Sequence, residues 1–201
     1  MNPILIWNLF SFRTELKYVA ITFILVLCLP FVAIITITNT GVEVVSDQLA
    51  TVSVLNQTVE IRNPLNGTVR KYLSGPFIWP TTGVITLEFG ESHLPYQPFH
   101  TGIDIAGKRG DPIAAFMKGT VIYAGEISWG FGKHIIVDNG NNVTSIYAHL
   151  SKMYVEKDQE VNQGQIIGTE GSTGWSTGPH LHFETRVFGI PVNPSTFLGK
   201  Q

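Results

Sequence analysis

The chain has 201 residues, of which 44% are hydrophobic and 14% charged, with a formal net charge of −2 at pH 7. That length holds one globular domain plus an apolar segment, and the charge excludes the basic footprint of a nucleic-acid-binding protein. A single cysteine, Cys28, rules out an intramolecular disulfide and a cysteine-rich zinc site. The first element is the uncharged run Val19 to Ile37, interrupted only by Thr22, Cys28, Pro30 and Thr36. About 20 apolar residues cross a bilayer as a helix, so the run predicts a transmembrane anchor over 19–37, with Cys28 an inert apolar residue within it. A cleaved signal peptide has a shorter apolar stretch followed by small residues, which Ile37-Thr38-Asn39-Thr40-Gly41 does not supply. Arg13 and Lys17 precede the run and no Lys or Arg follows it until Arg62. Positive charge favours the cytoplasmic side, which places residues 1–18 inside as a tail and the remainder outside.

Residues 38–76 read as a stalk or linker. Val42, Val45, Leu49, Val52, Leu55 and Val59 recur at near-helical spacing, while Thr51 to Val54 and Thr58 to Ile61 alternate like strands; the pattern leaves both open. Asn63-Pro64-Leu65-Asn66-Gly67 is turn-like. Sequons at Asn56, Asn66 and Asn142 matter only in a cell that glycosylates secreted proteins. Because no metal-ligand motif lies in this stretch, a fragment beginning near Gly75 is expected to fold and to keep the activity.

Residues 77–201 change to short β-rich segments separated by glycine turns. The expected strands are Val84–Phe89, Thr101–Ile105, Ile113–Ala115, Gly119–Ala124, His134–Asp138, Val143–His149, Gln165–Glu170 and His180–Phe188, with Asp138-Asn139-Gly140 as a hairpin turn. No sustained helical periodicity and no internal repeat is evident. A mostly β, antiparallel domain is the expected fold class.

The most informative stretch is Gly174 to Glu184, G-W-S-T-G-P-H-L-H-F-E. On a strand, residues i and i+2 share a face, so His180, His182 and Glu184 line one side while Leu181 and Phe183 point into a core. His100-Thr-Gly-Ile-Asp104 is a second pair at even spacing. His100, Asp104 and one histidine of the His-x-His strand supply two imidazole nitrogens and a carboxylate, a zinc set with the fourth position left for water. Three protein ligands rather than four point to catalysis, not a structural site. A metal hydrolase also needs a proton-transfer group. His149, in Tyr-Ala-His-Leu, and the remaining histidine of the pair meet that need. His93 and His134 have no partner at ligand spacing and read as ordinary histidines.

The motifs F-H-T-G-I-D-I-A, G-T-V-I-Y-A-G, Y-A-H-L and G-S-T-G-W-S-T-G-P-H-L-H-F-E occur in that order between about residues 78 and 198. Together they resemble the lysostaphin/LytM-type zinc endopeptidases of bacterial cell walls. The resemblance implies a small antiparallel β domain of that type and one Zn2+ held by His100, Asp104 and His182. It further implies His149 and His180 as the catalytic pair that handles the water proton and the oxyanion. It also implies a peptidoglycan peptide as substrate, in the cross-bridge or between cross-linked stems, with residues 171–178 in the wall of the substrate groove. With the anchor, it places the protein in the bacterial cytoplasmic (inner) membrane as a single span, its catalytic domain extracytoplasmic. Many relatives carry F-G-x-R-x-H-P before the first ligand, whereas this chain reads F-G-E-S-H-L-P from Phe89 to Pro95. Ser92 thus replaces a common arginine, and Tyr96 is a candidate hydroxyl donor. The rival reading is a non-catalytic LytM-like module that binds the wall or activates another wall hydrolase; such modules usually lose ligands, and none is lost here. Protein partners are not legible in the sequence.

Overall fold

The structure is a computed structural model and describes residues 17–18, 21–24, 41–53, 58–91 and 99–199. The chain divides into two compact units, Met1–Gly41 and Val42–Gln201. In the first, 17–18 and 21–24 are helical, with Ile21, Phe23 and Ile24 exposed. The expected anchor, 19–37, falls almost wholly outside the described residues. Among the described residues, no helix is long and apolar enough to cross a membrane.

In the second unit, a helical segment at 42–49 leads into β1 (Ala50–Ser53), β2 (Thr58–Arg62) and β3 (Val69–Ser74), which form a three-stranded antiparallel sheet in sequence order. The stretch expected to be a stalk is therefore regularly structured over most of its described length. Leu49, Ala50, Val59, Ile61 and Leu73 are buried and belong to the hydrophobic core. Ser46 is buried, its hydroxyl accepting the backbone N–H of Asn193 at 3.0 Å. The two periodicities that overlapped in the sequence are both real: the helical one belongs to 42–49 and the alternating one to the strands that follow.

The remaining strands are β4 (Val84–Leu87), β5 (Ile103–Ala106), β6 (Pro112–Ala114), β7 (Gly119–Glu126), β8 (Lys133–Asp138), β9 (Val143–Ala148), β10 (Lys152–Met153), β11 (Glu160–Val161), β12 (Ile166–Thr169), β13 (His180–Val187) and β14 (Ile190–Val192). An eight-stranded sheet runs β11-β7-β8-β9-β13-β5-β4, with β14 paired to β13, and β10-β12-β6 form a smaller sheet. The recorded strand pairs are antiparallel. All eight strands expected from alternation are present, with ends shifted by at most two residues. The two-residue β10 and β11 are too short to carry a period of two. A one-turn helix, Ser195–Leu198, follows β14 and buries Phe197 and Leu198.

β13 lies between β9 and β5, and it is covered on both faces. Leu181 and Phe183 point into the core, where the Phe183 ring lies 5.4 Å from Phe116 and 5.3 Å from Tyr147. Fully burying a side chain of this size contributes about 1.5–3 kcal/mol, so the apolar face fixes the register. A one-residue slip would turn every side chain over. The observed register sets His182 opposite Asp104 on one side and Ala148 on the other. At the entry to β5, Gly102 lies so close to β13 that a Cβ would sit 2.3 Å from the Phe183 carbonyl oxygen. That contact accounts for the glycine in His-Thr-Gly-Ile-Asp.

Candidate metal centre

Asp104 projects from β5 between the core residues Ile103 and Ile105. His182 projects from the facing position of β13, and His100 sits in the turn before β5. Their donor atoms form a tight triangle. His100 Nε2 is 3.1 Å from Asp104 Oδ1 and 2.9 Å from His182 Nδ1, which is 2.8 Å from Asp104 Oδ1. These residues form a group able to hold a metal ion.

The surroundings fix which nitrogen faces the centre. His100 Nδ1–H donates to the Glu88 carbonyl at 3.0 Å, leaving the Nε2 lone pair inward. His182 Nε2–H donates to Glu184 Oε1 at 3.1 Å, leaving Nδ1 inward. Glu184 is fully buried; it accepts from the Thr101 hydroxyl and from Arg186, whose Nε lies 2.8 Å from Oε2. With both rings neutral, three lone pairs converge with no hydrogen between them, which requires a cation. A tetrahedral zinc with bonds of about 2.0–2.1 Å separates its ligands by roughly 3.3 Å, a few tenths of an ångström wider than this triangle. The donor set therefore fits one zinc ion, and the carboxylate behind His182 is the usual outer partner of a ligating imidazole.

The protonation equilibria show the same demand for positive charge. Burial alone would raise the Asp104 carboxyl, but hydrogen bonds from His100 and His182 and their charge hold it well below the usual carboxylate range. Burial disfavours the His182 imidazolium, yet hydrogen bonds and charge from Asp104 and Glu184 push its pKa up to about 9. Without a metal, a proton on His182 takes the cation's place.

Two further imidazoles face the same cavity. His149 follows β9 directly in a left-handed conformation, φ 60°. Its Nδ1–H donates to the Thr173 carbonyl at 2.7 Å and its backbone N–H to the Phe131 carbonyl at 2.9 Å. Burial, then the charges of His182 and His180, lowers its pKa to about 4, so the ring is neutral at physiological pH. His180 Nδ1–H donates to the Gly178 carbonyl at 2.9 Å, and its Nε2 lies 3.7 Å from Asp104 Oδ2. The ring centroids of His149 and His180 are 4.6 Å apart. All five residues singled out from the sequence thus line one cavity of about 560 Å³.

His134 is buried beside this group rather than in it, stacked on Tyr123 at 4.5 Å with Nδ1–H donating to the Gly132 carbonyl at 2.9 Å. His93, Ser92 and Tyr96 lie outside the described residues. Sequence reasoning placed Glu184 on the histidine face without giving it a role; its i+2 spacing from His182 was the available signal. The anchoring carbonyls of Glu88 and Thr173 left no signal, because any residue type supplies a carbonyl.

The profile of Peptidase family M23 matches residues 98–194. The chain is 44% identical over 120 residues to a protein named murein hydrolase activator NlpD of Escherichia coli, covering 60% of this chain and 30% of that one. It is 44% identical over 95 residues to a DD-carboxypeptidase/endopeptidase Mpg of Neisseria meningitidis, covering 47% of this chain and 22% of the relative. The chain thus spans under a third of the length of these curated relatives. Among solved structures, the catalytic domain of the antimicrobial peptidase lysostaphin from Staphylococcus simulans superposes with a TM-score of 0.55 at 33% identity, over 59% of this chain and 93% of that domain. The chain belongs to Peptidase family M23, and its fold is of the lysostaphin type.

Proposed function

We propose that the protein is a membrane-anchored, zinc-dependent endopeptidase that hydrolyses peptide bonds of peptidoglycan. The observation that carries this reading is the complete donor triangle of His100, Asp104 and His182 with two oriented imidazoles, His149 and His180, on the same cavity. Zinc in such a site supplies Lewis acidity to a carbonyl and to water. The chain's own residues supply the rest. The hydrogen bonds to Thr173 and Gly178 keep a proton on Nδ1 of His149 and His180 and leave Nε2 free to exchange one. A neutral His149 accepts the proton that water loses as its oxygen bonds to the scissile carbon. Breaking the carbon–nitrogen bond then returns a proton to the leaving amine, while an Nε2–H of the pair stabilises the oxyanion. The match to an endopeptidase and the resemblance in the motifs support peptidoglycan as substrate.

A second reading, activation of another wall hydrolase, is favoured by the identity to a protein named murein hydrolase activator. Purified protein should contain one zinc and release peptide fragments from peptidoglycan, read by mass spectrometry. His182→Ala should lose zinc and turnover together. His180→Ala and His149→Ala should keep zinc yet lose about 10²–10⁴-fold in turnover, the usual worth of a positioned acid–base group. Loss of zinc from His180→Ala with retention in His182→Ala would reverse the roles of the pair. Zinc-loaded protein that releases nothing alone but stimulates a second hydrolase would establish the activator reading.

A further inference from the structure

Two serine hydroxyls, those of Ser172 and Ser176, stand in line beside His180. The two imidazoles outside the donor triangle are anchored in parallel ways. Each gives its Nδ1–H to a carbonyl of the loop between β12 and β13, His149 to Thr173 and His180 to Gly178. Such an anchor orients a ring only as well as the carbonyl is itself held. Thr173 holds its own: its hydroxyl accepts Lys133 N–H at 2.9 Å and donates to the Leu150 carbonyl at 3.0 Å, tying it to β8 and to the residue that follows His149.

Gly178 has no hydroxyl of its own. A Cβ there would meet no atom of the described residues within 4 Å, so packing on that side does not fix its carbonyl. Ser176 does. Its hydroxyl donates to the Gly178 carbonyl at 2.7 Å, and its Oγ lies 3.2 Å from His180 Nδ1 and 2.9 Å from Ser172 Oγ. A hydroxyl has one hydrogen and two lone pairs. The hydrogen of Ser176 goes to Gly178, so Ser172 is the donor to Ser176, and one lone pair remains for His180 Nδ1–H. The Ser176 hydroxyl is thereby fully engaged. Its backbone N–H is bound as well, to the Gly174 carbonyl at 3.1 Å.

The consequence falls on the far side of the ring. With Nδ1–H shared between a carbonyl and a hydroxyl oxygen, Nε2 keeps its lone pair and points toward the metal position, 3.7 Å from Asp104 Oδ2. Without the Ser176 hydroxyl the ring would keep one acceptor, a carbonyl that has lost its brace. Reaction geometry tolerates little of that freedom, since a displacement of about 1 Å costs about 10²-fold in rate. Ser176 also borders the cavity, so direct contact with substrate is the competing role.

We infer that Ser176, backed by Ser172, is a positioning residue that aims His180 Nε2 at the metal position, where the scissile bond is attacked. This rests on the peptidase reading above. The test uses zinc-loaded full-length protein in detergent micelles. Peptidoglycan turnover and the downfield imidazole N–H proton signals are read on the same preparations, the His180 signal being assigned by its loss in His180→Ala. Ser176→Ala should lower kcat about 10–100-fold, the usual effect of losing an outer partner, with KM and zinc content unchanged. Ser176→Thr, which keeps the hydroxyl, should restore most of that turnover, and Ser172→Ala should fall between. In a His180→Ala background Ser176→Ala should cost nothing further, because a residue that acts through another is silent once that one is gone. The His180 Nδ1–H signal should shift in Ser176→Ala and stay in Ser176→Thr. A raised KM at unchanged kcat, loss of zinc from Ser176→Ala, a further loss in the His180→Ala background or an unaltered His180 signal overturns the inference. A protein that releases no peptide, while its His180 signal still depends on the Ser176 hydroxyl, keeps the orienting role and defeats the peptidase reading. Undiminished turnover in Ser176→Ala defeats the inference alone.

Discussion

His182 meets several demands at once: Nδ1 faces the metal position, Nε2–H is held by buried Glu184, and the backbone pairs with β5 and β9. A metal must displace the proton that Asp104 and Glu184 stabilise on this ring, so affinity depends on pH. With the His182 pKa at about 9, apparent zinc affinity should fall about tenfold per pH unit below that value, measured by competition with a chromophoric chelator. A flat profile between pH 6 and 8 would mean that His182 carries no competing proton. The sign for the metal-free protein is opposite. The folded pKa lies above the ordinary 6.5, so this stabilisation is complete below about pH 6.5 and is lost as pH rises through about 9. Glu184→Gln should keep the shape of the strand but weaken the hold on Nε2–H, reducing zinc affinity by about 10–100-fold. Unaltered zinc affinity would show that Glu184 serves the core alone. At this scale the sequence was most legible, because a His-x-His pair on a strand has one face to share. Tautomers were not, since they depend on carbonyls contributed by remote turns.

At the scale of elements, apolar residues at alternate positions exposed the longer strands of the large sheet, such as β8, β9 and β13. It missed β14, whose three residues pair with β13 across a tight turn. It also read 38–76 as connection, because a helix and a small sheet in succession leave mixed periods. These elements touch the domain at identifiable points: Ser46 holds Asn193, the Arg70 guanidinium lies 5.9 Å from the Phe188 ring centroid, and the Glu43 carboxylate lies against Gly90. Gly90 belongs to the turn whose Glu88 carbonyl orients His100. A fragment of residues 77–201 should therefore melt at lower temperature than one of 42–201 and bind zinc more weakly, by calorimetry and chelator competition. Equal melting and equal affinity would restore the view of 38–76 as a passive stalk.

For the whole molecule, the proposed topology sets residues 1–18 inside and the 42–201 unit outside the cytoplasmic membrane, anchored through 19–37. Protease added to intact spheroplasts should degrade that unit, and full protection while the membrane stays sealed would overturn the arrangement. The pairing of β5 with β13 bears on how such a protein reaches its place. In the centre, His182 Nδ1 lies 2.8 Å from Asp104 Oδ1 and 2.9 Å from His100 Nε2, atoms of residues 78 and 82 positions away in the chain. Contacts of such separation form only when the chain has closed into its final topology. On that topology, a polypeptide threaded across the membrane in extended form is latent: it carries every ligand and no hydrolytic centre, and becomes competent only on the side where it folds.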